Sequence, residues 1–416
     1  MADAPSPRAG SAPQAPGPGG LALIGLASAG HFFNDGYGNV YPALVPLVAA
    51  QLGFGLVTGS LLITAVRMAS SILQPLFGAA ADRRPTPLLG PVALAAAAAA
   101  TGALGLLPPA PLFVLLAILA GSANGAFHPP GLALVRGLAG RRPGRYTSLF
   151  LVGGTVGRAL GPLLMVGAAA LWGVRGVGAL ALPGLALAAV LARGAARSAP
   201  SSAPVEREGH GRATLALVRD RLGPLSLLLA IAVARGTVTS AVTTFWPLLH
   251  GRAVAQVAGS AGVIAVMMLT GSIGNVLGGS LSDRVPPHRL LAGAAAGAGL
   301  SLAAFALAGG AWMYVFAALA GLFAMSTNAV TTVLGQNLLP ERVATASGLA
   351  LGLGNALTAG VTALLAVSAA LWGGTVALEL AAAVAFTGLP AALAYPRLVR
   401  RHRLPIPAYG AASPGA

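Results

Sequence analysis

The sequence predicts an all-α membrane protein of twelve transmembrane helices, arranged as two pseudo-symmetric bundles of six. Three observations carry that prediction: an extreme shortage of charge, twelve long apolar segments, and an internal repeat of about 200 residues.

Of the 416 residues, 56% are hydrophobic and only 8% are charged. A water-soluble domain carries about 25% charged residues. Too few charges remain here to clothe a surface in water, so the outer surface meets lipid. The formal charge of +16 comes from 25 arginines without a single lysine. These arginines sit between apolar segments rather than in a contiguous basic face, which argues against nucleic-acid binding. There is no cysteine, and therefore no disulfide, thiol nucleophile or thiolate metal site. No metal-binding spacing and no GxxxxGK[ST] phosphate loop occurs either. No metal or cofactor is expected, and an ATP-driven pump is excluded. An enzyme would need a nucleophile–base pair or a metal cluster at the membrane midplane. The sequence offers one isolated carboxylate there, so it does not read as an enzyme.

A bilayer-spanning helix needs about 20 mostly apolar residues. Twelve segments qualify: 21–48, 56–81, 88–107, 111–137, 146–170, 174–194, 224–249, 257–281, 289–309, 312–338, 343–370 and 374–395. Their many Gly and Ala residues suit close helix packing in lipid. Residues 1–20, rich in Pro and Gly, read as a disordered tail rather than a signal peptide, which needs a basic start and an apolar centre. The longest connection, 195–223, divides a first bundle over 21–194 from a second over 224–395, and 396–416 forms a second tail. With the N-terminus in the cytoplasm, 20 arginines fall on that side and only Arg175 and Arg252 on the other. This positive-inside bias places both termini in the cytoplasm.

The halves repeat each other. Pro46-Leu47 recurs as Pro247-Leu248, and Gly78-x-x-x-Asp82-Arg83 recurs as Gly279-x-x-x-Asp283-Arg284, both at an offset of 201. Leu171-Trp172-Gly173 recurs as Leu371-Trp372-Gly373 at an offset of 200. Parallel six-helix repeats are a transporter architecture with the binding site at the midplane between them.

Four charges fall inside spans. At 1.5 Å per residue, Asp35 lies about 21 Å into its helix, Arg158 about 18 Å and Arg235 about 16 Å, with Arg67 comparably deep from the opposite face. A charge there costs about 2.5–3.5 kcal/mol on insertion scales, so such residues line cavities, pair with one another, or serve transport. Three Arg against one Asp leave an excess of two positive charges, since Glu379 lies near a membrane face. A cavity so charged favours a small anionic substrate. His31, Asn34, Asp35, Gly38 and Pro42 share one helical face of the first span, which makes Asp35 the candidate for proton coupling. His31, Asn34, Arg67, Asn124, His128, Arg158 and Arg235 are the candidate substrate-binding residues. His128, beside Pro129-Pro130, is also a candidate proton relay. The uncharged Asn275, Asn328, Thr331, Thr332, Gln336 and Asn355 of the second half line the cavity or join helices.

The run Gly78-Ala-Ala-Ala-Asp82-Arg83-Arg84 resembles the cytoplasmic signature of the major facilitator superfamily. More specifically, His31-Phe-Phe-Asn34-Asp35-Gly36, Ala69-Ser70-Ser71-Ile72-Leu73-Gln74-Pro75, Gly125-Ala126-Phe127-His128-Pro129 and Leu160-Gly161-Pro162-Leu163-Leu164 are similar, in order and spacing, to the fosmidomycin-resistance family of that superfamily. Gly157-x-x-x-Gly161-Pro162 resembles part of its antiporter motif. The match covers the first half well and the second only in layout. Arg67 and Arg158 depart from the family pattern, which carries small or neutral residues there. The resemblance implies a proton-driven exporter of the bacterial inner membrane, acting as a monomer on a small drug or metabolite. Within the family, phosphonate antibiotics are one substrate class. Gly78, Asp82, Arg83, Gly279, Asp283 and Arg284 would then gate the cytoplasmic side. Two alternatives remain: an uptake symporter for an organic or inorganic anion, and a non-transporting membrane sensor or scaffold.

Overall fold

The structure, a computed structural model, describes residues 15–54, 56–83, 87–198, 210–246 and 254–401. Most of both tails, the centre of the linker, Arg84 and the Pro247-Leu248 marker lie outside the described residues. Every regular element among the described residues is helical. In the first half these are α1 (Pro18–Gly38), α2 (Tyr41–Leu52), α3 (Leu56–Arg83), α4 (Leu89–Leu104), α5 (Ala110–Leu138), α6 (Pro143–Trp172) and α7 (Ala181–Ser198). The linker contributes α8 (His210–Asp220). The second half has α9 (Leu222–Ser240), α10 (Val254–Ser282), α11 (Pro287–Leu307), α12 (Trp312–Leu338), α13 (Val343–Gly348), α14 (Gly354–Trp372), α15 (Gly374–Phe386) and α16 (Gly388–Arg401). Among the described residues, ten helical stretches are long and apolar enough to cross a membrane. With α1 and the shorter apolar α4, they fall on the twelve expected segments.

The first span departs from expectation. The sequence predicts one helix over 21–48, but α1 stops at Gly38 and α2 begins at Tyr41. Pro42 has no amide hydrogen to give the Gly38 carbonyl, and the Asn39 amide instead closes the helix end on the Gly36 and Tyr37 carbonyls. Pro42 therefore lies beyond a break and does not extend the helical face of His31, Asn34 and Asp35. The eleventh span is interrupted as well, by a π-helical turn over Leu349–Leu353 between α13 and α14.

Small residues set the packing. In lipid, helices gain little from the hydrophobic effect and associate through close contact. Gly153, Gly157 and Gly161 form a stripe along α6 and meet the backbone carbonyls of Ser28, Phe32 and Gly36 on α1. Any side chain on that stripe would strike main chain. The two backbones are thus held together at three points over about two turns, and this contact brings residue 35 beside residue 158. Around it the first half buries Leu94, Phe127, Leu132 and Phe150. The second half buries Val238, Leu302, Phe305 and Ala317 in its own core.

The halves meet at one end of the molecule. Asp82, at the end of α3, accepts hydrogen bonds from the amides of Ala344 (3.1 Å) and Thr345 (2.8 Å) and from the Thr345 hydroxyl (2.6 Å). Asp283, just past α10, accepts from the amides of Gly144 (2.9 Å) and Arg145 (3.0 Å). Each carboxylate caps the N-terminus of a helix in the opposite half, where free amides and the helix dipole favour an anion. Between these caps Arg136 donates to Asn337 at 2.6 Å. Gly78 lies against the Ala344 carbonyl and Gly144 against that of Gly279. Arg83 and Arg284 form no ion pair among the described residues.

Candidate functional site

Three helices converge on Asp35, which is 4% exposed. From its own helix, one turn earlier, His31 places Nε2 3.3 Å from Oδ2. From α5, His128 places Nε2 3.0 Å from Oδ1. From α6, Arg158 binds Oδ2 through Nη1. The arginine is the exposed member: its side chain is 45% accessible, so the guanidinium lies between a buried carboxylate and open space. Removing the arginine would leave the buried carboxylate without its charged partner, a loss that the solvent exposure of Arg158 softens. Gly154 makes room for the group, since a methyl there would meet the His31 ring and sit 2.6 Å from Asp35 Oδ2.

A second layer orients these side chains. His31 Nδ1 lies 2.7 Å from the Phe150 carbonyl, and His128 Nδ1 lies 2.9 Å from the Asn124 carbonyl. Asn34 and Asn124 bond reciprocally: Asn34 Nδ2 donates to the Asn124 carbonyl at 3.1 Å, and Asn124 Nδ2 to the Asn34 carbonyl at 2.7 Å. Ser70 on α3 donates to Asn124 Oδ1 at 2.8 Å. Arg158 donates to Thr155 Oγ1 at 3.1 Å, and its carbonyl receives the Asn39 side chain at 2.9 Å. The His31 ring stacks on Phe150, with centroids 4.2 Å apart.

The structure therefore gathers His31, Asn34, Asp35, Asn124, His128 and Arg158 into one cluster. Arg67 and Arg235 lie apart from it. Arg67 is exposed on α3. Arg235 is partly buried on α9, with Nε enclosed and unpartnered, and close enough to Arg158 for the two cations to repel. Neither has an acidic partner among the described residues. Asp35 and Arg158 cancel, so the two positive charges counted in the sequence reside on Arg67 and Arg235. Glu379 is exposed on α15 and compensates neither. In the second half, Asn275 is 1% exposed with both amide atoms unpartnered, and Gln336 binds the Ser347 hydroxyl at 3.0 Å.

Sequence reasoning missed the supporting layer. Thr155 stands one turn before Arg158, a spacing that does signal contact on a helix. Asn39 and Ser70 gave no such signal. The acceptors Phe150 and Asn124 act through their carbonyls and the donors to Asp82 and Asp283 mainly through amides, which no side-chain pattern marks.

The description of the Major Facilitator Superfamily matches residues 25–363. The chain is 28% identical over 344 residues to an uncharacterised MFS-type transporter, YfnC, of Bacillus subtilis (strain 168), covering 80% of this chain and 82% of that one. It is 26% identical over 357 residues to the fosmidomycin resistance protein of Escherichia coli (strain K12), covering 85% and 87%. Among solved structures it is similar to two crystal structures of the fucose:proton symporter FucP, the first described as that of E. coli and the second as in the outward conformation. Their TM-scores are 0.69 and 0.68 at 15% identity, over 90% of this chain and 98% and 99% of theirs. Both likenesses concern the fold. Two repeated six-helix bundles, paired acidic caps at one end and a match over most of the length agree: the chain is a membrane transporter rather than an enzyme, and it belongs to the Major Facilitator Superfamily.

Proposed function

We propose that this protein is a proton-coupled secondary transporter that exports a small organic anion, phosphonate-like in charge and size, across the bacterial inner membrane. One observation carries the reading: a buried carboxylate is shared between two imidazoles and a half-exposed arginine, while Arg67 and Arg235 stand without acidic partners among the described residues. The first group can hold a coupling proton, and the second supplies charge for an anion. Arg158 links the two. Asp35 is the anion on which coupling depends, and the bundles over 21–194 and 224–395 rock about the site, joined by the 195–223 linker. Both termini face the cytoplasm, which makes the end closed by Asp82 and Asp283 the cytoplasmic one. Export is supported by the name of the E. coli relative and by Gly157, Gly161 and Pro162.

A second reading, uptake of an anion together with protons, is favoured by Arg158 itself. A proton on the cluster weakens the hold of Asp35 on that guanidinium and leaves it free for an anion, so proton and anion load together. One assay separates the readings. Inside-out vesicles with an imposed proton gradient and a pH-sensitive dye receive a panel of small phosphonates and carboxylates, with Asp35→Asn as the comparison. Exchange predicts that the right anion dissipates the gradient in the wild type and not in the variant. Accumulation of anion only when protons move in the same direction selects the second reading. A gradient untouched by every anion in both directions removes the anion assignment.

A further inference from the structure

The position of the coupling proton follows from counting donors and acceptors around Asp35. A carbonyl oxygen only accepts. His31 Nδ1 and His128 Nδ1 each face one, at 2.7 Å and 2.9 Å, so both Nδ1 atoms carry hydrogen. The Asn124 carbonyl also receives Asn34 Nδ2 at 3.1 Å, which fixes it as an acceptor and fixes the ring turned toward it. A neutral imidazole protonated on Nδ1 has a bare lone pair on Nε2. Both Nε2 atoms point at the carboxylate. Without a further proton, each contact sets a lone pair against an oxygen anion. At least one of them must therefore contain a proton.

The two contacts are not equal. His128 Nε2 lies 3.0 Å from Oδ1, an ordinary distance for a charged N–H···O bond. His31 Nε2 lies 3.3 Å from Oδ2 and makes no hydrogen bond, and it shares that oxygen with Arg158. Asp35 itself accepts from Arg158 and, more distantly, from Asn34 at 3.4 Å. Both contacts stabilise the ionised carboxylate. The charged and titratable groups acting on Asp35 are His31 from α1, His128 from α5 and Arg158 from α6, with Arg235 of the second half acting on Arg158.

We propose that the coupling proton resides on Nε2 of His128, as an imidazolium bound to an ionised Asp35, and not on the Asp35 carboxyl. In this assignment Asp35 is the fixed anion that holds the proton carrier. Asn124, locked by Ser70 and Asn34, is the positioning residue that turns the ring. The proton comes from water on one side, forms the Nε2–H bond, and leaves to water on the other when alternating access exposes the ring there. A divalent metal is the competing occupant, because the ligand atoms of His31, Asp35 and His128 lie within 4.8 Å of one another. The Arg158 guanidinium, bound to the same carboxylate, repels such an ion.

The inference rests on the proton-coupled reading above but can be tested without a substrate. The full chain, labelled with nitrogen-15 histidine and carbon-13 aspartate, is placed in lipid nanodiscs. Ring signals are assigned by His31→Gln and His128→Gln, and the carboxyl signal by Asp35→Asn. Near neutral pH, His128 should show hydrogens on both ring nitrogens, His31 on Nδ1 alone, and Asp35 should be ionised. In Asp35→Asn, His128 should lose its Nε2 hydrogen. A His128 ring with bare Nε2 beside a protonated Asp35 overturns the assignment, as does a change of both rings on adding zinc at stoichiometric concentration. In vesicles, methylphosphonate is the probe: His128→Gln should lose proton-driven flux. If methylphosphonate is not moved by the wild type, the anion reading fails while the spectra still decide where the proton sits.

Discussion

Arg136 donates a hydrogen bond to Asn337 at 2.6 Å, and the two residues stand 201 positions apart. That is the offset relating Asp82 to Asp283. Repeat counterparts that touch lie on the pseudo-two-fold axis, so this bond pins the centre of the closed end. A hydrogen bond to a charged group contributes about 1.5–3 kcal/mol. Arg136→Ala should open that end by about tenfold or more in population. The chain has no cysteine, so a single Ser148→Cys, buried between the halves, reports access directly. Faster maleimide labelling in Arg136→Ala is expected, whereas an unchanged rate means the bond does not hold the closure.

The two acidic caps flank that axis and share no partner. Asp82→Asn and Asp283→Asn should each weaken closure by about 0.5–2 kcal/mol, the range for loss of a helix cap. The double variant should be near additive, within about 0.5 kcal/mol, because the caps act on different helices. The same cysteine reporter measures all three. A double variant no more open than either single one would mean that one cap alone governs the end.

Gly154 is the largest residue the site can tolerate at its position. Gly154→Ala drives a methyl into His31 and Asp35, and overpacking of this kind costs about 1–3 kcal/mol. Thermal unfolding in detergent should fall by several degrees and proton-driven transport should be lost. Gly25→Ala, on the same half with no atom within 4 Å of the added methyl, should change neither.

Arg235 predicts an opposite pairing of effects. Its buried Nε has no partner, and an unsatisfied buried donor costs about 1–3 kcal/mol. Arg235→Met should therefore raise the unfolding temperature while weakening anion binding, seen as a higher KM. A variant that is both less stable and fully active would mean that the cation is structural and its partner lies elsewhere.

Much of this was legible in the chain. The polar face of α1 announced His31, Asn34 and Asp35, because any charge stands out against lipid-soluble neighbours. The doubled Gly-x-x-x-Asp-Arg announced both caps. Which arginine pairs with Asp35 was not legible, since Arg67, Arg158 and Arg235 lie at similar depths and depth says nothing about azimuth. The glycine stripe on α6 decides it by bringing α6 against α1. The break at Asn39 was hidden because Pro42 alone is compatible with either a kink or a stop.

The contact that brings Asp35 to Arg158 has a counterpart in the second half. Gly236 stands 201 positions beyond Asp35 and Thr358 200 beyond Arg158, and a methyl on Gly236 would strike the Thr358 side chain. Likewise Ala232 and Ala329 occupy the places of His31 and His128. The same scaffold thus exists twice, once with a carboxylate and two imidazoles and once without them, keeping Arg235 in the place of Asn34. Exchanging the two halves would preserve every helix and reverse which wall of the cavity responds to acid. The molecule is symmetric as architecture and one-sided as chemistry.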